Sequence, residues 1–164
     1  MTEKKIRVKI HSQISDLTAI NAVEQIMGNK GSYSAADDDV IEFSTDGVIR
    51  ENGKNLELEY EECAEMGMEN TVTTLIFPKE EPNSLNMVRT GENSAGLVFS
   101  DKEKRQPCSY NVGGYPFDFC IYTRNIDNGI TMTGGVLKLD YVIEMHGMKT
   151  QRNRFTIKVD ELKI

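Results

Sequence analysis

The chain has 164 residues, 38% hydrophobic and 27% charged, so a single domain with a core that needs neither metal nor disulfide support is expected. Its 26 acidic and 19 basic residues leave a net charge of −7, which argues against a nucleic-acid binder held by clustered Lys and Arg. No apolar run approaches the roughly 20 residues of a membrane span, and MTEKKIRVKIHSQIS lacks the apolar run of a signal peptide, so the default expectation is cytoplasmic.

Ile6, Val8 and Ile10 alternate with Arg7, Lys9 and His11, which predicts a first strand over Lys4–Ile14 with His11 on its polar side. Leu17, Ile20, Val23 and Met27 then fall at three- and four-residue intervals, the stripe of a short helix with Asp16 to cap it and Gly28 to end it. Asn29–Asp39 reads as a loop. Its triplet Asp37-Asp38-Asp39 lacks the spaced ligands and distal Glu of a calcium site.

From Val40 onward the pattern is of strands. Val40–Ser44 and Val48–Arg50 flank Thr45-Asp46-Gly47, a turn or bulge signal, and Asn52-Gly53 is the strongest hairpin signal in the chain. Leu56, Leu58 and Tyr60 alternate with Glu57, Glu59 and Glu61, and Met66-Gly67-Met68 supplies the bend to the β-branched run Thr71–Phe77. Pro78–Asn83 ends that strand. Leu85–Gly91 and Leu97–Asp101 follow, separated by Glu92–Gly96, and KEKR at Lys102–Arg105 reads as a solvated hairpin tip. Gln106–Val112 and Phe117–Ile126 bracket Gly113–Pro116. The last two strands alternate Leu137, Leu139, Tyr141, Ile143 and Met145, then, past a turn at His146-Gly147, Phe155, Ile157 and Val159. Strands with turns every 8–12 residues or so predict an all-β, up-and-down antiparallel barrel of about 8–10 strands. The single β-barrel domain spans residues 1–164, with residues 15–39 as a helix and loop insertion between the first two strands.

Tyr60-Glu61-Glu62, Arg89-Thr90-Gly91, Tyr110–Thr123 (YNVGGYPFDFCIYT) and the closing Val136–Val159 hairpin together resemble the YwiB-like proteins, a family of uncharacterised bacterial proteins. The family's loop reads Tyr-x-Thr-Pro-aromatic-Gly, and this chain departs from it at Val112, Gly113 and Tyr115. The resemblance implies a lipocalin-like (calycin) barrel and a superfamily habit of holding small apolar ligands. It implies no activity, cofactor or catalytic residue.

Residues of the chain carry no catalytic signature of their own. Gly91–Gly96 does not fit a nucleophile elbow, and His11 and His146, the only histidines, have no tie in sequence to a cysteine. Cys63, Cys108 and Cys120 lack paired spacing and read as idle thiols in a reducing compartment, and no metal-ligand pattern is present. Glu62 and Arg89 stand out. Continued alternation turns both into the barrel, where they form either a latch that fixes register or, through Arg89, an anchor for a ligand carboxylate. The cost of an unpaired interior charge favours the latch. Tyr110, Phe119, Thr123 and Tyr141 are further inward candidates, along with Tyr60.

Three functional readings follow. The first is a cytoplasmic binding protein for a small, mainly apolar or carboxylate-bearing ligand inside the barrel. The second is a filled barrel acting as a structural or interaction module, with a homodimer as one form of partner. The third and weakest is a small hydrolase or isomerase. An interior smaller than about 300 Å³ would exclude the first.

Overall fold

Period-2 alternation governs almost every described residue. The computed structural model describes residues 2–17, 39–62, 70–112 and 114–162. They form ten strands: β1 (Glu3–Asp16), β2 (Asp39–Asn52), β3 (Asn55–Glu61), β4 (Thr71–Pro78), β5 (Ser84–Gly91), β6 (Asn93–Ser100), β7 (Arg105–Val112), β8 (Tyr115–Asn128), β9 (Gly134–Met145) and β10 (Met148–Glu161). Each pairs antiparallel with its neighbours in sequence, and β1 pairs with β10 to close the barrel. Apolar residues in phase point inward. Ile6, Val8, Ile49, Leu58, Leu75, Phe99, Leu137 and Ile157 are fully buried and fill the half of the barrel nearest the Gly53–Lys54 turn.

The hairpins show why the chain turns where it does. Asn52 pairs with Asn55, and Gly53 alone of the two linking residues takes a positive φ, 62°, the pattern of a type II′ turn. His146 and Gly147 both have positive φ, 53° and 77°, which matches type I′ and the right-handed twist of β9 and β10.

Several boundaries differ from those the sequence predicts. Thr45-Asp46-Gly47 neither turns nor bulges: β2 runs straight through it in continuous register with β1. Gly47 is needed for close approach, since a Cβ there would stand 2.5 Å from the Glu59 carbonyl oxygen. Glu92–Gly96 is not a loop either, because Asn93 and Ser94 already pair with Val112 and Asn111 of β7. Tyr115 and Pro116 belong to β8, paired with Val112 and Asn111. The predicted helix Leu17–Met27, apart from Leu17, and the bend Met66-Gly67-Met68 lie outside the described residues. Leu17 itself extends the first strand's course, its amide donating to the Thr150 carbonyl at 3.0 Å.

Strand length is uneven. β1, β2, β8, β9 and β10 have 12–14 residues, whereas β3 to β7 have 7 or 8. Only Gly47–Asn52 of β2 pair with β3, and β8 pairs with β9 only from Cys120 onward. The long strands therefore stand above the short ones at the end opposite the Gly53–Lys54 turn.

Outward positions carry charge. Arg7 pairs with Asp46 at 2.7 Å, His11 with Glu42 at 2.7 Å, and Arg50 reaches Glu57 and Glu59 at 3.0 and 3.3 Å. A charged exterior over an apolar interior is the inverse of a barrel whose outer face meets lipid. The described residues also contain no helix long and apolar enough to cross a membrane.

Arg152 makes the best-formed of these pairs, with Nε donating to Asp140 Oδ1 at 3.0 Å and Nη2 to Oδ2 at 2.7 Å. Those bonds hold the Asp140 carboxyl below its ordinary value against the opposing effect of burial, with Arg124 and Arg154 assisting. A depressed carboxyl stabilises the fold fully above its unfolded value, about 3.9, and that contribution is lost as pH falls through the lower folded value. Asp140→Asn is expected to cost about 1 kcal/mol at neutral pH, with the deficit narrowing below pH of about 4. Urea unfolding across that range measures it. A deficit that ignores pH would assign the loss to packing instead.

Candidate functional site

Above the filled half, the barrel opens into a cavity of about 540 Å³. Its walls are mainly apolar, with Ile14, Ile41, Leu97, Phe117, Ile143 and Phe155 among the lining side chains. The upper ends of the long strands supply most of the wall. Phe117, 44% exposed, lines it from the part of β8 that extends beyond β9.

A polar cluster closes the lower end. Tyr60, Thr73 and Arg89 are cross-strand neighbours on β3, β4 and β5, so parity places all three inside. Glu62 follows β3 by one residue, in phase with Tyr60, and its amide donates to the Thr71 carbonyl at 2.9 Å. That bond keeps the chain extended long enough to aim the carboxylate inward. The side chains of Glu62 and Arg89 are 2% and 11% exposed.

The cluster is incompletely bonded. Thr73 Oγ1 donates to Glu62 Oε1 at 2.6 Å, while Arg89 Nε stands 3.9 Å from the same oxygen, within Coulombic reach but too far for a hydrogen bond. Glu62 Oε2, Arg89 Nε and Asn153 Oδ1 are buried without a well-formed hydrogen bond, and the Tyr60 hydroxyl has the Glu62 carboxylate beside it as a loose partner. Burial pushes the Tyr60 phenol well up, with the adjacent Glu62 carboxylate adding to the effect and Arg89 opposing it. Burial likewise raises Tyr141, opposed by Arg89 and by a hydrogen bond from the Asn153 side chain. An unmet buried polar group costs roughly 1–3 kcal/mol, so several in one place are unusual in a folded interior.

Of the residues singled out in the sequence, Glu62, Arg89, Tyr110, Phe119 and Tyr141 line the cavity. Tyr60 lies beneath it, 2% exposed. Thr123 belongs to the barrel wall. Pro107 brings no amide donor to β7, the β6–β7 ladder stops at Gly96 and Ser109, and the Ser100 amide donates instead to Thr123 Oγ1 at 3.3 Å. The expected Glu62–Arg89 pair is present, but at a distance that makes it a loose partnership. Asn153 and Thr73 complete the cluster without having been singled out. Both follow the phase of their strands, Asn153 with Phe155 and Thr73 with Leu75, so the signal was parity.

The candidate chemistry of other groups lies elsewhere. His11 sits on the outer face, and His146 occupies the β9–β10 turn. Cys108 and Cys120 are free thiols, and burial raises the Cys108 pKa, which makes it a poor nucleophile. Cys63 lies outside the described residues.

Fold and site together define a closed, ten-stranded antiparallel barrel, filled at one end and hollow at the other. The chain belongs to the family described as Domain of unknown function (DUF1934), whose model matches residues 26–157. It is also similar to the solved ywiB protein from Bacillus subtilis, with a TM-score of 0.74 at 16% identity, over 98% of this chain and 94% of that one. At that identity the likeness concerns the fold alone, and it agrees with the YwiB-like resemblance in the sequence. No curated protein matches the chain.

Proposed function

We propose that this protein binds a small, mainly apolar ligand in the hollow end of its barrel, in the manner of calycin-type carriers. The observation that carries this reading is the pairing of an apolar cavity of about 540 Å³ with buried polar atoms whose hydrogen bonds are unmet. Ligand sites combine these two traits: apolar walls supply affinity, and a few polar groups fix orientation. A barrel whose only task is to be filled gains nothing from either.

Native mass spectrometry of freshly purified protein is expected to reveal a co-purified small molecule. In protein freed of it, the neutral apolar dye N-phenylnaphthylamine is expected to bind saturably. Ile143→Trp, which puts an indole into the cavity, is expected to abolish that binding while leaving the far-ultraviolet spectrum unchanged. Dye uptake unaffected by Ile143→Trp would defeat the reading.

A further inference from the structure

Five aromatic side chains line the cavity, Tyr110, Phe117, Phe119, Tyr141 and Phe155, in a chain with six tyrosines, six phenylalanines and no tryptophan. We infer that the ligand is a flat aromatic molecule that stacks against the wall formed by β7 and β8, rather than an acyl chain. The inference rests on the cavity being a ligand site.

Register builds that wall. Tyr110 lies directly opposite Phe117, and Phe119 follows two residues along β8 on the same face. Little of the protein covers these rings. On its other flank Tyr110 neighbours Ala95, whose side chain is a single methyl group. Phe117 lies in the part of β8 that has no partner in β9, and it stays 44% exposed. Among the described residues the one stacked or edge-on pair of rings is Phe99 with Tyr141. Rings that served only the core would be interlocked in that way, whereas Tyr110, Phe117 and Phe119 offer theirs to the cavity.

The far wall has another character. In the ring of ten strands β2 stands across from β7 and turns Ile41 into the cavity, and β1 beside it adds Ile14. The interior is thus aromatic on one side and branched aliphatic on the other. A flat ring system laid on the first side meets its rings offset or edge-on, and each such contact raises affinity by roughly two- to tenfold beyond the area buried. Met87 and Met145 in the same lining carry thioether sulfurs, which also favour ring edges. An acyl chain gains only from buried area, and it loses torsional freedom that a rigid ring system never had.

Calorimetric titration of the ligand-free protein with 2-naphthol and 1-octanol tests this, because both are neutral alcohols of comparable hydrophobicity and only one is flat and aromatic. 2-Naphthol is expected to bind tighter by about tenfold or more. Phe117→Leu and Tyr110→Leu, made singly, keep an apolar side chain and remove a ring. Each is expected to weaken 2-naphthol several-fold and to leave 1-octanol within about twofold. Binding of 1-octanol by the unaltered protein as tight as that of 2-naphthol, or tighter, overturns the inference of an aromatic ligand and leaves the cavity reading in place. So does a preference for 2-naphthol that neither substitution reduces, and so does uptake of the neutral dye with neither alcohol. Loss of all three kinds of binding overturns both.

Discussion

Arg89→Met is expected to destabilise the protein by about 3 kcal/mol, lowering the melting temperature by about 6–12 °C. The reason is what remains. Glu62, with its side chain 2% exposed, would keep the Thr73 hydroxyl and, more loosely, the Tyr60 hydroxyl as partners and would lose the positive charge beside it. Breaking a buried pair by removing one member costs more than removing both, so Glu62→Gln combined with Arg89→Met is expected to recover most of the loss. Urea unfolding of the two single variants and the double variant gives the coupling directly. The result also separates the two roles foreseen for this pair. A coupling near zero would show that 3.9 Å is too far for a latch, and Arg89 would then be held in place for a ligand rather than for the barrel.

Phe99→Ala is expected to cost about 3–5 kcal/mol, the usual range for deleting a buried aromatic ring. Phe99 is fully buried and meets Tyr141 edge-on, with ring centroids 4.8 Å apart at 68°. That contact contributes about 0.5–1.5 kcal/mol beyond burial itself. Tyr141 lines the cavity, so the ring beneath it supports the floor. The void left by Phe99→Ala should extend the cavity downward, and the variant is expected to accept a longer apolar ligand than the unaltered protein does. Equilibrium unfolding and titration with a homologous series of straight-chain alcohols measure the two effects. A loss below about 1 kcal/mol would mean that the neighbours collapse into the space, and no deepening would follow.

Much of this architecture is written in the parity of side chains. Leu56, Leu58 and Tyr60 fix the register of β3 so firmly that the inward turn of Glu62 follows, and Leu85 and Met87 do the same for Arg89. Parity tells which side of the wall a residue takes, but not its height along the barrel. Thr123 shows the difference. It is inward as expected and 0% exposed, yet it stands where β7 departs from β6 and serves the wall. Pairing partners are equally hard to read. Glu92–Gly96 has the composition of a loop, but its polar Asn93 and Ser94 are strand residues paired to β7 rather than to β5. The cavity has no local signal at all, since it arises from strands of unequal length and from what ten inward rows fail to fill.

The pairing of β1 with β10 has a consequence for how the barrel comes to exist. Val8 lies against Val159, and Ile10 against Ile157, so the seam joins the first strand to the last. Hairpins from β2 to β9 can zip up progressively during synthesis, each bringing together neighbours in sequence. The cylinder cannot close until β10 has left the ribosome. Before that moment β1 and β9 present bare edges, with their amides and carbonyls unpaired and their apolar rows uncovered. Closure over so long a separation is slow compared with hairpin formation, which places the aggregation risk of this protein in the last stage of its folding.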